Sequence, residues 1–172
     1  GLVCGACVIT PPPFGASRAA LDYAFPVDRM VQALKYAHRL SLSRLFVELM
    51  AAEPCPQADL VVPMPLHPER LRSRGFNQAA ELARPLASAW SIPLRLDGIV
   101  RDVDTHPQAE LPWKARAGNV RGAFRVQGSV EGLRVVVVDD VMTTGETLAE
   151  LARTLKAVGA ASVENRVVAR TP

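Results

Sequence analysis

Aromatic residues make up only 5% of this 172-residue chain against 49% hydrophobic residues overall, so its core must be built from aliphatic side chains. That balance excludes a disordered tail and fits an aliphatic α/β protein of one domain with room for a real core. Cysteine is scarce too. The 3 cysteines are too few and too scattered for a disulfide framework, which agrees with a reducing compartment. No apolar run reaches the length of a membrane span and no signal peptide is visible at the start, so a cytoplasmic location is expected. Lysine is rare among the bases: 17 of the 20 are Arg, the side chain that grips phosphate or carboxylate by a fork. A formal net charge of +3, with 17 acids spread among the bases, is weak evidence for a nucleic-acid partner.

Two phosphate-binding fingerprints are missing as well. No GxxxxGK[ST] is present, which disfavours a nucleoside triphosphate cradle, and no GxGxxG, which argues against a dinucleotide fold. The stretch that stands out instead is 134–150, RVVVVDDVMTTGETLAE. Val135 to Val138 form an unbroken β-branched run, as expected of a central strand in a parallel sheet covered on both faces. The strand is expected to end in Asp139 and Asp140. Met142-Thr143-Thr144-Gly145-Glu146-Thr147 then turns into a helix with Leu148, Leu151, Leu155 and Val158 at helical spacing, and Gly159 as its C-cap. A loop of Thr and Gly opening a helix offers N–H groups and hydroxyls at the positive end of the helix dipole, an environment for a phosphate monoester. Two acids beside an anion site cannot hold the phosphate, since like charges repel. They suit the vicinal hydroxyls of a ribose, or a magnesium shell.

The remaining segments read as scaffold and loops around that centre. Residues 1–15 carry Cys4 and Cys7, half of a zinc site, and a proline run, and read as the remnant of a zinc ribbon with its linker; residues 16–172 read as the main domain. A short apolar stretch over 16–25 precedes a helix capped by Asp28 and running to about His38, with Val27, Met30, Val31 and Leu34 on one face. Ser41 is expected to cap a second helix with a stripe of Leu42, Leu45, Phe46, Leu49 and Met50. Between them Lys35, Tyr36, His38 and Arg39 form a small basic cluster, either solvated surface or a loop over a site. Leu60 to Val62 predict a buried strand broken by Pro63 and Pro65, followed by a loop that gathers His67, Arg70, Arg72 and Arg74 for a polyanion. Asn77 is expected to cap a helix with Ala79, Ala83, Leu86 and Trp90 inward and a kink at Pro85. A strand is expected over 92–100 and another chain return to the sheet over 120–126, with a long polar loop over 101–122 between them. That loop reads as a lid, with Thr105, Gln108, Lys114, Arg116, Asn119 and Arg121 as phosphate donors and Leu111 and Trp113 to exclude water. A last strand over 162–169 completes a doubly wound, mainly parallel α/β sheet with helices on both faces and room for an antiparallel edge strand.

The order of apolar run, Asp-Asp and Thr-Thr-Gly-x-Thr resembles the phosphoribosyl pyrophosphate signature of type I phosphoribosyltransferases. With PxPLHxxRxxxRGFNQ over 63–78, Thr105-x-x-Gln108 and NVRGAF over 119–124, the chain from Pro11 onward is similar to the ComF family of competence-associated, phosphoribosyltransferase-like proteins. The resemblance implies the type I phosphoribosyltransferase fold. In it Thr143, Thr144, Gly145, Glu146 and Thr147 would hold the 5-phosphate, and Asp139 and Asp140 the ribose hydroxyls, directly or through water and magnesium. The turn of Met64, Pro65, Leu66 and His67 would hold the pyrophosphate. The implied reaction is attack of a nitrogen nucleophile on C1 of the ribose as pyrophosphate leaves, with Arg70, Arg74 and Lys114 or Arg116 neutralising the leaving group; His67, His106 and Glu146 are candidate bases. Family members carry a zinc ribbon with two C-x-x-C pairs, and Cys4 and Cys7 match the second pair only, so Zn2+ is expected only of a longer chain. Two rival readings stay open: a non-catalytic phosphoribosyl pyrophosphate sensor or adaptor in DNA uptake, and a single-stranded DNA-binding protein using the arginine cluster, Phe76 and Trp113. DNA-uptake or recombination proteins and a homodimer are further open partners, and membrane insertion is not expected.

Overall fold

The valine run becomes an interior strand, as its two-sided apolarity demands. The computed structural model describes residues 5–37, 39, 41–102 and 121–171. In chain order these hold α1 (Gly5–Ile9), β1 (Ala16–Asp22), α2 (Val27–Tyr36), α3 (Ser41–Ala51), β2 (Leu60–Pro63), α4 (Pro68–Arg74), α5 (Gln78–Trp90), β3 (Ile99–Arg101), β4 (Phe124–Val126), β5 (Arg134–Met142), α6 (Glu146–Ala157) and β6 (Ser162–Arg170). The main sheet is wholly parallel, in the order β1-β6-β5-β2. No helix among the described residues is long and apolar enough to cross a membrane.

Alternation along β5 divides the core into two layers, because successive side chains of a strand point to opposite faces. Val135 and Val137 pack with Leu148, Leu151 and Leu155 of α6, while Val136 and Val138 pack with Val31, Leu34, Phe46, Leu82 and Leu86 of α2, α3 and α5. Fully burying each such side chain contributes roughly 1.5–3 kcal/mol. The consequence for function is positional. The helices that follow β2 and β5 lie on opposite faces of the sheet although the two strands are neighbours. A crevice therefore opens at their C-terminal ends, where open α/β sheets bind ligands.

Several local expectations need correction. The stretch 92–100 does not form one sheet strand: Leu94 makes a single parallel bridge to Val61, and only β3 is a strand, paired antiparallel with β4 in a separate two-stranded ribbon. Pro93 lacks the donor a ladder needs, and Gly98 adopts φ +76 where a Cβ would lie 2.7 Å from the Gln127 carbonyl oxygen. The return over 120–126 likewise joins that ribbon and not the main sheet. Asp28 lies in the first turn of α2, beside the positive end of its dipole, while Pro26 occupies the cap position. Ser41 is the first residue of α3, not its cap. Leu45 and Leu49 stay exposed at 40% and 37% while Phe46 and Met50 fill the core. At the end of α6 the C-cap is Val158, one residue before Gly159, and Val158 turns outward from the apolar stripe.

The segment read as a loop after β2 contains α4. Its signals were local: His67 caps by accepting the Glu69 N–H at 3.4 Å, Pro68 takes the first helical position, and Gly75 ends the helix at φ +80.

Candidate functional site

The site begins where β2 leaves its neighbour. Pairing of β2 with β5 ends at Pro63 opposite Val138, and the Met64 N–H makes one last bond to the Val138 carbonyl at 2.8 Å. On its other side β5 stays paired with β6 as far as Met142, so the strand does not end at the two acids as the sequence suggested. Asp139 and Asp140 lie instead at the opening between β5 and the departing β2. The turn that leaves there, Met64 to His67, is anchored from behind: Asn77 donates through Nδ2 to the Met64 carbonyl at 3.0 Å and caps α5 by accepting the Ala79 N–H at 2.9 Å.

The two acids have different surroundings. Asp140 continues the row of Val136 and Val138 toward α2, and only 4% of it is exposed. Its Oδ2 lies 2.9 Å from Nζ of Lys35, in the last turn of α2. The oxygen is occluded from solvent, and the ammonium meets its charge at close range. Burial works against the Lys35 ammonium, but the charge and proximity of Asp140, with Asp139 behind it, outweigh burial and hold its pKa above the ordinary value. Asp139 continues the other row, toward the β3–β4 ribbon. Desolvation and the neighbouring Asp140 charge push its carboxyl up to about 7, against the pull of Lys35, the Asp140 N–H and Arg101. That N–H donates to Asp139 Oδ1 at 2.8 Å. Arg101 is buried on β3, with its guanidinium 5.7 Å from the centre of the Phe124 ring.

The Thr-Gly loop follows at once. Gly145 takes the N-cap position of α6 at φ +80, a left-handed conformation that suits glycine; the Met142 Cε that a Cβ would meet at 2.6 Å is the flexible end of a side chain. Having no side chain, Gly145 cannot cap α6 itself and leaves the Thr147 and Leu148 amides of its first turn to solvent or an anion. Thr143 and Thr144 are exposed there, and Glu146 and Thr147 are half-buried. The Thr144 hydroxyl accepts the Glu146 N–H at 3.4 Å, and Thr171 on the chain leaving β6 donates to the Thr143 carbonyl at 3.3 Å.

Of the predicted cations, Arg74 reaches the same neighbourhood. It donates to Gln78 Oε1 at 2.6 Å, stacks 5.3 Å from the centre of the Tyr36 ring, and its charge opposes that of Lys35. Arg70 shares the face of α4 with Arg74 at helical spacing, whereas Arg72 is exposed. Pro65 is buried and Leu66 and His67 half-buried in the turn. Arg121 is exposed; Thr105, His106, Gln108, Leu111, Trp113, Lys114, Arg116 and Asn119 lie outside the described residues, as does Cys4. Lys35 and Arg101 are the site residues the sequence did not assign. The sequence offered Lys35 only as one of a basic cluster, either solvated surface or a loop over a site, and gave Arg101 no role.

Among the described residues no three His, Cys, Asp or Glu gather to cage a metal ion. Two adjacent carboxylates fit a magnesium ion that takes its other ligands from water and substrate phosphates.

Comparison with known proteins gives the family of the chain. The model of the phosphoribosyl transferase domain matches residues 71–172. The chain is 38% identical to the DNA utilization protein YhgH of Salmonella typhi, over 99% of this chain and 78% of that one. It is 31% identical to Competence protein F of Haemophilus influenzae, over 94% of this chain and 75% of that one. A solved structure of the allosteric regulatory enzyme of purine biosynthesis aligns with 74% of this chain and 25% of its own at 28% identity and a TM-score of 0.49, too distant to add to what the strand order says. With the domain match spanning more than half of its residues and these relatives similar along nearly all of its length, the chain belongs to the phosphoribosyl transferase domain family and, within it, to the ComF family.

Proposed function

We propose that the chain binds phosphoribosyl pyrophosphate in the β2/β5 crevice and transfers its phosphoribosyl group to a nitrogen acceptor with release of pyrophosphate. The observation that carries this reading is that Asp139 and Asp140, the Thr143 to Thr147 loop and the Met64 to His67 turn all meet at one end of two neighbouring strands. Each part matches one part of the ligand. The first-turn amides of α6 and the hydroxyls of Thr143, Thr144 and Thr147 bind the 5-phosphate, with the helix dipole favouring its charge. Asp139 and Asp140 accept hydrogen bonds from the ribose hydroxyls. The turn with Pro65, Leu66 and His67 lies beside the pyrophosphate, whose charge Arg70 and Arg74 neutralise.

Asp139 and Asp140 would hold a magnesium ion arriving with the ligand, which would supply positive charge to the leaving diphosphate. In the transfer the C1–O bond breaks with its electron pair going to pyrophosphate, a C1–N bond forms, and the acceptor nitrogen gives up its proton. Of the candidate bases, Glu146 stands half-buried at the loop, whereas Nδ1 of His67 is engaged in capping α4. The names of the relatives, DNA utilization protein and Competence protein F, supply the setting: DNA uptake or use. The ion pair of Lys35 on Asp140 favours a second reading, a sensor of the same ligand, since binding there must displace a charge contact.

Titration calorimetry with phosphoribosyl pyrophosphate and magnesium tests the binding step on the wild type and on Asp139→Asn/Asp140→Asn. The expected result is magnesium-dependent binding that the double substitution weakens by a factor of a hundred or more, on the order of two charged hydrogen bonds at about 1.5–3 kcal/mol each. Equal binding by both proteins contradicts the assigned site. Pyrophosphate release with a panel of nitrogen heterocycles then separates the transferase from the sensor.

A further inference from the structure

The proposed reaction leaves Lys35 without a task, although it lies in direct contact with Asp140. It comes from α2, a helix outside the β5–α6 unit, and α2 is fixed in place by Val31 and Leu34, both fully buried in the layer that also holds Val136 and Val138. Its side chain is 21% exposed, so the ammonium has given up most of its water to lie 2.9 Å from Asp140 Oδ2. A buried lysine normally loses its charge unless a partner holds it. Here the partner is a carboxylate that the proposed ligand also needs, so the contact that keeps Lys35 charged must give way when the site fills.

The charges around this contact are frustrated in two places. Asp139 and Asp140 repel one another across one peptide unit, and Lys35 is repelled by Arg74, which is held nearby by Gln78 and Tyr36. A ligand with hydroxyls or a hydrated divalent cation at one end and a polyanion at the other relieves both. The first end takes over Asp140; the second takes the released ammonium together with Arg74.

We propose that Lys35 is a counter-ion latch of this site, closed on Asp140 when the site is empty and transferred to the diphosphate of the ligand when hydroxyls or a hydrated cation take the Asp140 oxygen. The latch rests on the phosphoribosyl pyrophosphate reading above. It makes Lys35 a positioning residue that links α2 to ligand occupancy.

The test uses two measurements that move in opposite directions. Lys35→Met leaves Asp140 without its counter-ion, so Mn2+ alone, followed by its electron paramagnetic resonance signal, should bind the ligand-free variant about tenfold more tightly than the wild type. Phosphoribosyl pyrophosphate with magnesium, followed by calorimetry, should bind the same variant about tenfold more weakly, the loss of one charged hydrogen bond. Lys35→Arg should restore wild-type weakness toward Mn2+, and Lys35→Gln carries the same test should the Met variant fold poorly by circular dichroism. A lysine with a merely structural role would weaken both measurements or neither, and either result overturns the latch. If the wild type binds phosphoribosyl pyrophosphate and the Mn2+ affinity of Lys35→Met is unchanged, the latch falls while the functional reading stands. If the wild type binds no phosphoribosyl pyrophosphate, both fall.

Discussion

Desolvation and the adjacent Asp140 charge hold the Asp139 carboxyl at about 7, from an ordinary 3.8, even with Lys35 and Arg101 pulling the other way. A carboxyl whose pKa is higher in the folded protein than in the unfolded chain binds its proton more tightly when folded. Stability from this group therefore declines as pH climbs from near 4 to about 7 and is level beyond. Asp139→Asn removes the ionised form and should raise the melting temperature at pH 8, in chelator to exclude divalent ions, by several degrees, while changing it little at pH 4. A melting temperature lowered equally at both pH values would show that the ionised carboxylate is not under strain. At this scale the sequence was informative where site residues are chain neighbours: Asp139, Asp140 and the Thr-Gly loop form one contiguous stretch, and strand-then-loop geometry carries them to one place. Lys35 was legible only as one of a basic cluster with two readings, surface or loop over a site, and Arg101 not at all. What brings them to the acids is the packing of α2 and of the β3–β4 ribbon, and no local pattern records that.

Helix α5 shows how an element far from the chemistry can shape the site. Asn77 makes two bonds at its start, one capping the helix through the Ala79 N–H and one holding the Met64 carbonyl, so the same side chain orders the helix and the turn beside the acids. Asn77→Ala should cost about 1–2 kcal/mol of stability by urea unfolding, and should weaken phosphoribosyl pyrophosphate binding besides, because the Met64 to His67 turn loses its tether. Lost stability with unchanged ligand affinity would confine Asn77 to a capping role. The cap of α5 was legible because Asn before a periodic apolar run is a local signal. Helix α4 was missed although its cap, its Pro68 and its Gly75 were all present, since prolines at 63 and 65 made the whole segment read as rigid loop. The strand expected over 92–100 failed for a different reason. Its apolar residues are divided between a bridge to Val61 and a separate ribbon, a choice made by Pro93 and Gly98.

For the whole molecule, the decisive feature is that β2 and β5 are parallel neighbours whose following helices pack on opposite faces, which opens the crevice. Fold class was readable from the alternation of apolar runs and helical stripes, but strand order was not. Periodicity reports which residues are buried, whereas order depends on which faces the connecting helices cover. In the proposed reading the crevice joins two half-sites, a phosphate loop at α6 and a turn after β2, and a ligand spanning both should gain over either half alone. Calorimetry of the wild type with phosphoribosyl pyrophosphate, ribose 5-phosphate and pyrophosphate, each with and without magnesium, tests this most directly. The account predicts that phosphoribosyl pyrophosphate binds at least tenfold more tightly than either fragment, and only with magnesium; equal affinity for pyrophosphate alone, or no binding of any of the three, would contradict it.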